Sequence, residues 1–162
     1  MSKHVLHRVI FGTANISKDP EALVLAAKIS IQDAILHDHC RYHVQFADYP
    51  GMVPEKGQSV RGTYVAGLTD DNIKFLDWFE GTEYIKAKVK PFLLRPDSEG
   101  VLREDAEVDA ETYIFVGGEE RLDKKEWSFD VFVKEKLQNW ADHSTEYAGE
   151  LRQKPTVPSD TK

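Results

Sequence analysis

One carboxylate in this chain stands where the local pattern expects an apolar side chain. In the run Thr69 to Gly81, residues Ile73, Leu76 and Glu80 fall at i, i+3 and i+7 and share one face of a helix. If Ile73 and Leu76 point into the core, Glu80 does too. Burial disfavours an ionised carboxylate, and a helix C-terminus is the negative end of the dipole, so both raise its pKa. A carboxyl displaced toward neutrality can take and give a proton near pH 7, which suits general acid–base chemistry. The alternative is a slightly rotated helix whose frayed end leaves Glu80 in solvent, where most carboxylates sit.

Other residues carry weaker signals. The segment His37-Asp38-His39-Cys40-Arg41-Tyr42-His43 holds imidazole and thiolate groups of the kind zinc binds. Strand alternation sets Cys40 opposite the three histidines, so the segment reads as a polar solvated face rather than a joint metal site. Tyr84 follows Glu80 by four residues, and its hydroxyl either lines a pocket or merely opens the next strand. Asp77 reads as facing solvent or capping a loop. Trp78, Trp127 and Trp140 read as packing residues, and Gly62 and Gly67 as structural. The chain has no Gly-rich phosphate loop, nucleotide fingerprint or defensible Ser/His/Asp set, and no cofactor is expected.

The elements that must position these groups follow from pattern. Thr69 is a helix N-cap, Asp70 and Asp71 suit the positive end of that helix, and Gly81 is expected in the αL conformation past its end. Residues 5–11 are apolar and short, either a strand or a helical turn. Asp19-Pro20 starts a second helix. Residues 34–46 alternate as a strand. Pro50 and Pro54 restrict their segment to a turn or an edge strand. A turn is expected at 55–58, strands at 60–68, 84–94 and 110–116, and a turn at 96–100. Residues 127–140 read as an amphipathic helix. The polar stretch 148–162, with Pro155 and Pro158, reads as a disordered tail behind a single domain over 1–147.

At 162 residues, 41% hydrophobic and 30% charged, the chain has the composition of one globular domain. Its net charge of −7 argues against a nucleic-acid footprint. No apolar run approaches the ~20 residues of a membrane helix, and Met1 to Val5 lack a secretory signal's apolar region. Cys40 is the only cysteine, which fits a reducing compartment. The reading is a cytoplasmic protein without a nucleic-acid or membrane partner. Oligomeric state is not legible.

Three motifs in order carry a resemblance: Ala47-Asp48-Tyr49-Pro50-Gly51-Met52-Val53-Pro54, Val60-Arg61-Gly62-Thr63-Tyr64, and Leu76-Asp77-Trp78-Phe79-Glu80-Gly81-Thr82-Glu83-Tyr84. Over residues 5–135 the chain resembles the γ-glutamylcyclotransferase-like superfamily, most closely its AIG2-like branch. The resemblance implies an α+β fold, a small, mostly antiparallel β-barrel with peripheral helices. It also implies an acyltransferase reaction, in which the α-amine of a γ-glutamyl group attacks its own γ-carbonyl to give 5-oxoproline and a free amine. The substrate would be a small γ-glutamyl compound, and Glu80 would match the family's general acid/base. The Tyr49-Pro50-Gly51 turn (Tyr49, Pro50, Gly51) would place backbone donors at the pocket, or is plain turn chemistry.

One departure affects this expectation. The family opens with a strand ending in Tyr-Gly-Thr-Leu, whose backbone N–H groups hold the substrate carboxylate and the oxyanion. Val5-Leu6-His7-Arg8-Val9-Ile10 resembles the segment after that turn, so the chain reads as starting beyond it. The competing alignment makes Phe11, Gly12, Thr13 and Ala14 the turn. Three functions remain open: an active cyclotransferase, a non-catalytic binding or regulatory member of the same fold, and an enzyme using the Glu80 pocket for another proton transfer.

Overall fold

The computed structural model describes residues 3–13, 15–47 and 49–127. The chain divides into two compact units, Met1–Ser128 and Phe129–Lys162, and every described residue lies in the first.

A long hairpin forms the frame. Strand β1 (Ser30–Val44) pairs antiparallel with β2 (Pro50–Ala66), from Ser30 opposite Ala66 to His43 opposite Pro50. β2 lies at the edge of its sheet, which is why Pro50 and Pro54 are tolerated in it. The register slips between His37 and His39, whose partners are Ser59 and Pro54. Residues 55–58, expected as a turn, are therefore a bulge within β2. Asp38 (φ 55°) sits opposite, and its carboxylate accepts from the Gly57 N–H at 2.8 Å.

The other flank of β1 is shared by two strands. β4 (Phe92–Pro96) pairs at Ala34 and Ile35, and β7 (Leu122–Glu126) pairs at Tyr42 to Val44. β5 (Leu102–Glu107) extends the sheet beyond β4. A second sheet joins β3 (Tyr84–Val89) to β6 (Ala110–Phe115) antiparallel, from Tyr84 opposite Phe115 to Val89 opposite Ala110. The fold is α+β and mostly antiparallel, as expected. Among the described residues no strand pairing closes the two sheets into one barrel.

Several sequence expectations change here. The strand expected over 84–94 is two strands in different sheets, broken at Lys90-Pro91 because a proline cannot donate to a ladder. Ile85 is 53% exposed, since Tyr84 rather than Ile85 turns inward onto Phe115. β5 and β7 were not foreseen: Leu-Arg-Glu-Asp-Ala-Glu and Leu-Asp-Lys-Lys-Glu are too charged to show an alternation. The helix expected over 127–140 and the tail lie outside the described residues, except Trp127, whose N–H donates to the Arg41 carbonyl at 2.9 Å.

Among the described residues three α-helices accompany the sheets. The ambiguous residues 5–11 belong to helix α1 (Lys3–Phe11), whose buried Leu6, His7 and Ile10 follow the helical repeat. Helix α2 (Pro20–Ala26) is short and starts as expected, with the Asp19 carboxylate accepting from the Ala22 N–H at 3.0 Å. Helix α3 (Asp70–Glu80) links β2 to β3 and packs against α1. Leu6, Ile10 and Leu76 form a buried cluster, with Ile73, Val65, Ile31, Phe11 and Tyr113 packed around it. Helix and sheet thus share one apolar layer.

Candidate active site

Helix α3 is specified at both ends. Thr69 Oγ1 accepts from the Asn72 N–H at 3.2 Å, and Asn72 Oδ1 accepts from the Thr69 N–H at 3.1 Å, a reciprocal cap. At the other end Gly81 has φ 71° but ψ −163°, a region open essentially to glycine alone and not the αL conformation expected. Its N–H donates to the Asp77 carbonyl. Between these ends Leu76 is buried and Ile73 half-buried against α1.

Glu80 follows them inward. Burial pushes its carboxyl up to about 7 from an ordinary 4.5. Of the two sequence alternatives, the half-buried carboxyl is the one observed.

The residues after Glu80 build an aromatic wall. The Tyr84 hydroxyl donates to the Pro50 carbonyl at 3.0 Å, and its ring lies edge-on to Phe115 at 5.5 Å. Tyr49 stands beside Tyr84 with ring centroids 6.5 Å apart. The Tyr84 hydroxyl is held well above the ordinary tyrosine range, first by burial and then by the nearby charge of Glu80. The structure therefore brings together Glu80, Tyr84, Tyr49, Pro50 and Gly51. Gly51 is a close-packing position: a Cβ there would lie 2.8 Å from Leu122 Cδ2 and 2.8 Å from Phe115 Cγ.

Two polar networks flank the wall. Glu83 accepts from the Tyr49 hydroxyl at 2.9 Å and from the Arg121 guanidinium. The Arg121 and Tyr49 hydrogen bonds hold the Glu83 carboxyl below its usual range. On the other side, Asp77 accepts from the Tyr113 hydroxyl at 2.7 Å and from Lys86 Nζ at 2.9 Å. Sequence reasoning missed Glu83, Arg121, Tyr113 and Lys86, and read Asp77 as facing solvent or capping a loop. Tyr113 is distant in sequence from Glu80 and comes near through the pairing of β6 with β3, while Arg121, just ahead of β7, reaches Glu83. Asp77 did carry a signal, its place one turn before Glu80.

The remaining candidates lie elsewhere. Phe11 ends helix α1 and joins the Leu6–Ile10–Leu76 cluster. Gly12 (φ 76°) donates its N–H to the Arg8 carbonyl at 2.9 Å, and Thr13 Oγ1 accepts from the Asn15 N–H at 3.3 Å. Gly12 and Thr13 thus terminate a helix and do not form a turn at the end of a strand; Ala14 is outside the described residues. The histidines separate: His37 bonds Ser59 and Glu104, His39 the His37 carbonyl, and His43 Asp123, while Cys40 is buried. Among the described residues no cluster of three His, Cys, Asp or Glu side chains is arranged as metal ligands.

Residues 9–129 match the family described as Gamma-glutamyl cyclotransferase, AIG2-like. The chain belongs to this family. AIG2-like protein D of Arabidopsis thaliana is 26% identical over 146 residues, covering 90% of this chain and 91% of that protein. AIG2-like protein B of the same plant is 27% identical over 116 residues, 72% of this chain and 63% of that protein. A solution structure of an Arabidopsis thaliana protein superposes with a TM-score of 0.51 at 20% identity, covering 91% of this chain and 90% of the other. That likeness concerns the fold alone. In this AIG2-like chain no described helix is long and apolar enough to cross a membrane.

Chemically, the AIG2-like site combines one carboxyl able to change protonation near pH 7 with tyrosines that stay protonated. Such a carboxyl can accept a proton from one atom and return it to another in a single turnover.

Proposed function

We propose that this AIG2-like chain is a γ-glutamylcyclotransferase that converts a small γ-glutamyl amine, amino acid or peptide to 5-oxoproline and the free amine. The α-amine nitrogen of the γ-glutamyl group attacks the γ-carbonyl carbon, forming the ring bond, and the original γ-amide C–N bond breaks. Glu80, ionised, takes the proton from the attacking nitrogen. The same carboxyl, now neutral, gives it to the leaving nitrogen, and the reaction needs no cofactor. A carboxyl with an ordinary pKa would be a weak acid catalyst at neutral pH; one near 7 serves both steps.

The observation that carries this reading is the half-buried Glu80, with its carboxyl raised to about 7, within the Phe-Glu-Gly motif. Tyr84 supports it by flanking Glu80 while its hydroxyl is anchored on Pro50. A cytoplasmic setting accords with the single free thiol, Cys40.

The test is 5-oxoproline release from a panel of γ-glutamyl amines and γ-glutamyl amino acids. We expect product from the wild type, a kcat/KM profile with a limb near pH 7, and loss of ~10²-fold or more in Glu80→Gln. A folded wild-type chain that releases no 5-oxoproline across the panel would overturn the proposal.

A further inference from the structure

We infer that Asp77 is a positioning residue, which ties the end of helix α3 to strands β3 and β6 and so sets how deeply Glu80 lies in the protein. The inference bears on the role proposed for Glu80, but its test requires no turnover.

Asp77 and Glu80 occupy the same final turn of α3. The glycine stop caps that end, but the last turn holds no basic residue to meet the negative end of the dipole. The last four carbonyls of any helix lack intrahelical donors, and such ends fray unless something holds them. Here the holding groups come from the second sheet. Tyr113 of β6 donates to Asp77 Oδ1 at 2.7 Å, and Lys86 of β3 meets Asp77 Oδ2 at 2.9 Å. One carboxylate therefore fastens the helix to two paired strands. Lys86 also supplies, from outside, the cation that the helix end lacks.

Tyr113 makes the attachment more than a surface ion pair. Its ring packs against the Leu6–Ile10–Leu76 cluster, and its hydroxyl lies within reach of the charge on Glu80 as well as on Asp77. Rotation or fraying of the last turn would break both Asp77 bonds and carry Glu80 toward solvent. The charge on Glu80 acts on Tyr84 of β3 and Tyr113 of β6, and the N-terminal amine is the charged group that lowers the Glu80 carboxyl itself. Asp77 shares its final turn and Glu83 the turn that follows, while Lys86 of β3 acts on Asp77 and Glu111 of β6 on Tyr113. Helix α1, packed on α3, brings the buried His7 with Lys3 and His4.

The measurement is carbon-detected NMR titration of Glu side-chain carboxyls in the full chain, with Glu80 assigned by Glu80→Gln. Three variants are informative: Asp77→Asn, Tyr113→Phe and Lys86→Met. Loosened attachment gives Glu80 more water, so its midpoint should fall by about one pH unit in each. Lys86→Met is decisive, because through-space electrostatics alone has the opposite sign: removing a cation would raise the midpoint. Lys86→Arg should leave it near the wild-type value.

A fall in Lys86→Met with restoration in Lys86→Arg supports the inference. A midpoint that rises or stays in Lys86→Met overturns it. Should Asp77→Asn fail to fold, the half-exposed Lys86 and isosteric Tyr113→Phe variants still decide. If the enzyme turns over, the limb of the kcat/KM profile near pH 7 should move with the titration. If it does not, only the proposed reaction fails.

Discussion

Replacing Glu80 by glutamine should make the protein more stable at alkaline pH, and only there. Burial lifts the folded-state carboxyl from 4.5 to about 7. At ~1.4 kcal/mol per pH unit, the folded protein disfavours ionised Glu80 by roughly 3 kcal/mol. Partial access to water trims this to about 2 kcal/mol. Because the folded value is raised, the folded state binds the proton more tightly than the unfolded chain. This contribution to stability is fully present below pH 4.5, declines as the pH rises, and is gone above about 7. Glutamine has the same shape and cannot ionise. Urea denaturation of wild type and Glu80→Gln between pH 5 and 8.5 isolates the effect, since other titrations cancel in the difference. The two should be nearly equal at the acid end, with Glu80→Gln ahead by about 2 kcal/mol at the alkaline end. A difference that stays constant with pH would refute the buried, raised carboxyl and, with it, the acid–base role.

Two further substitutions probe the frame around Glu80. Gly51→Ala should destabilise by about 1–3 kcal/mol through overpacking against Phe115 and Leu122, whereas Gly62→Ala, with open space around it, should be close to neutral; thermal denaturation of the pair checks this. Tyr49→Phe removes one of the two donors that depress Glu83, so the Glu83 carboxyl should titrate higher and urea stability should fall by about 1 kcal/mol.

How much of this was legible depended on whether a residue's partner lay nearby in sequence. Helix α3 was readable because each of its determinants is local: the Thr69 cap, the first-turn acids, the 3.6-residue repeat and the closing glycine. Helix α2 announced itself through Asp19-Pro20 for the same reason. Residues 5–11 were ambiguous because seven residues with one polar interruption fit either period, and only packing against α3 decides for the helix. β5 and β7 were invisible because their charged sequences show no alternation; β5 is held by its hairpin with β4, and β7 by the distant β1. The turn expected at 55–58 was a sound local reading overridden by a long-range partner: Asp38, on the opposite strand, absorbs the extra residues as a bulge.

The site divides along the same line. Glu80 could be proposed from spacing alone, and Tyr84 and Tyr49 through their motifs, because α3 and the strands beside it carry them in order. The Ile73–Leu76–Glu80 spacing already implied a carboxyl raised by burial, but not which groups surround it. Its environment comes from Tyr113, 33 positions later, and from the sheet that β6 makes with β3. Asp77 shows the difference most clearly. As a lone acid on a helix it reads as a solvated charge, yet with Tyr113 and Lys86 it becomes the joint between helix and sheet. The position of a candidate acid–base residue is thus local information. Its pKa, on which the chemistry depends, is a property of the tertiary contacts that hold its helix end in place.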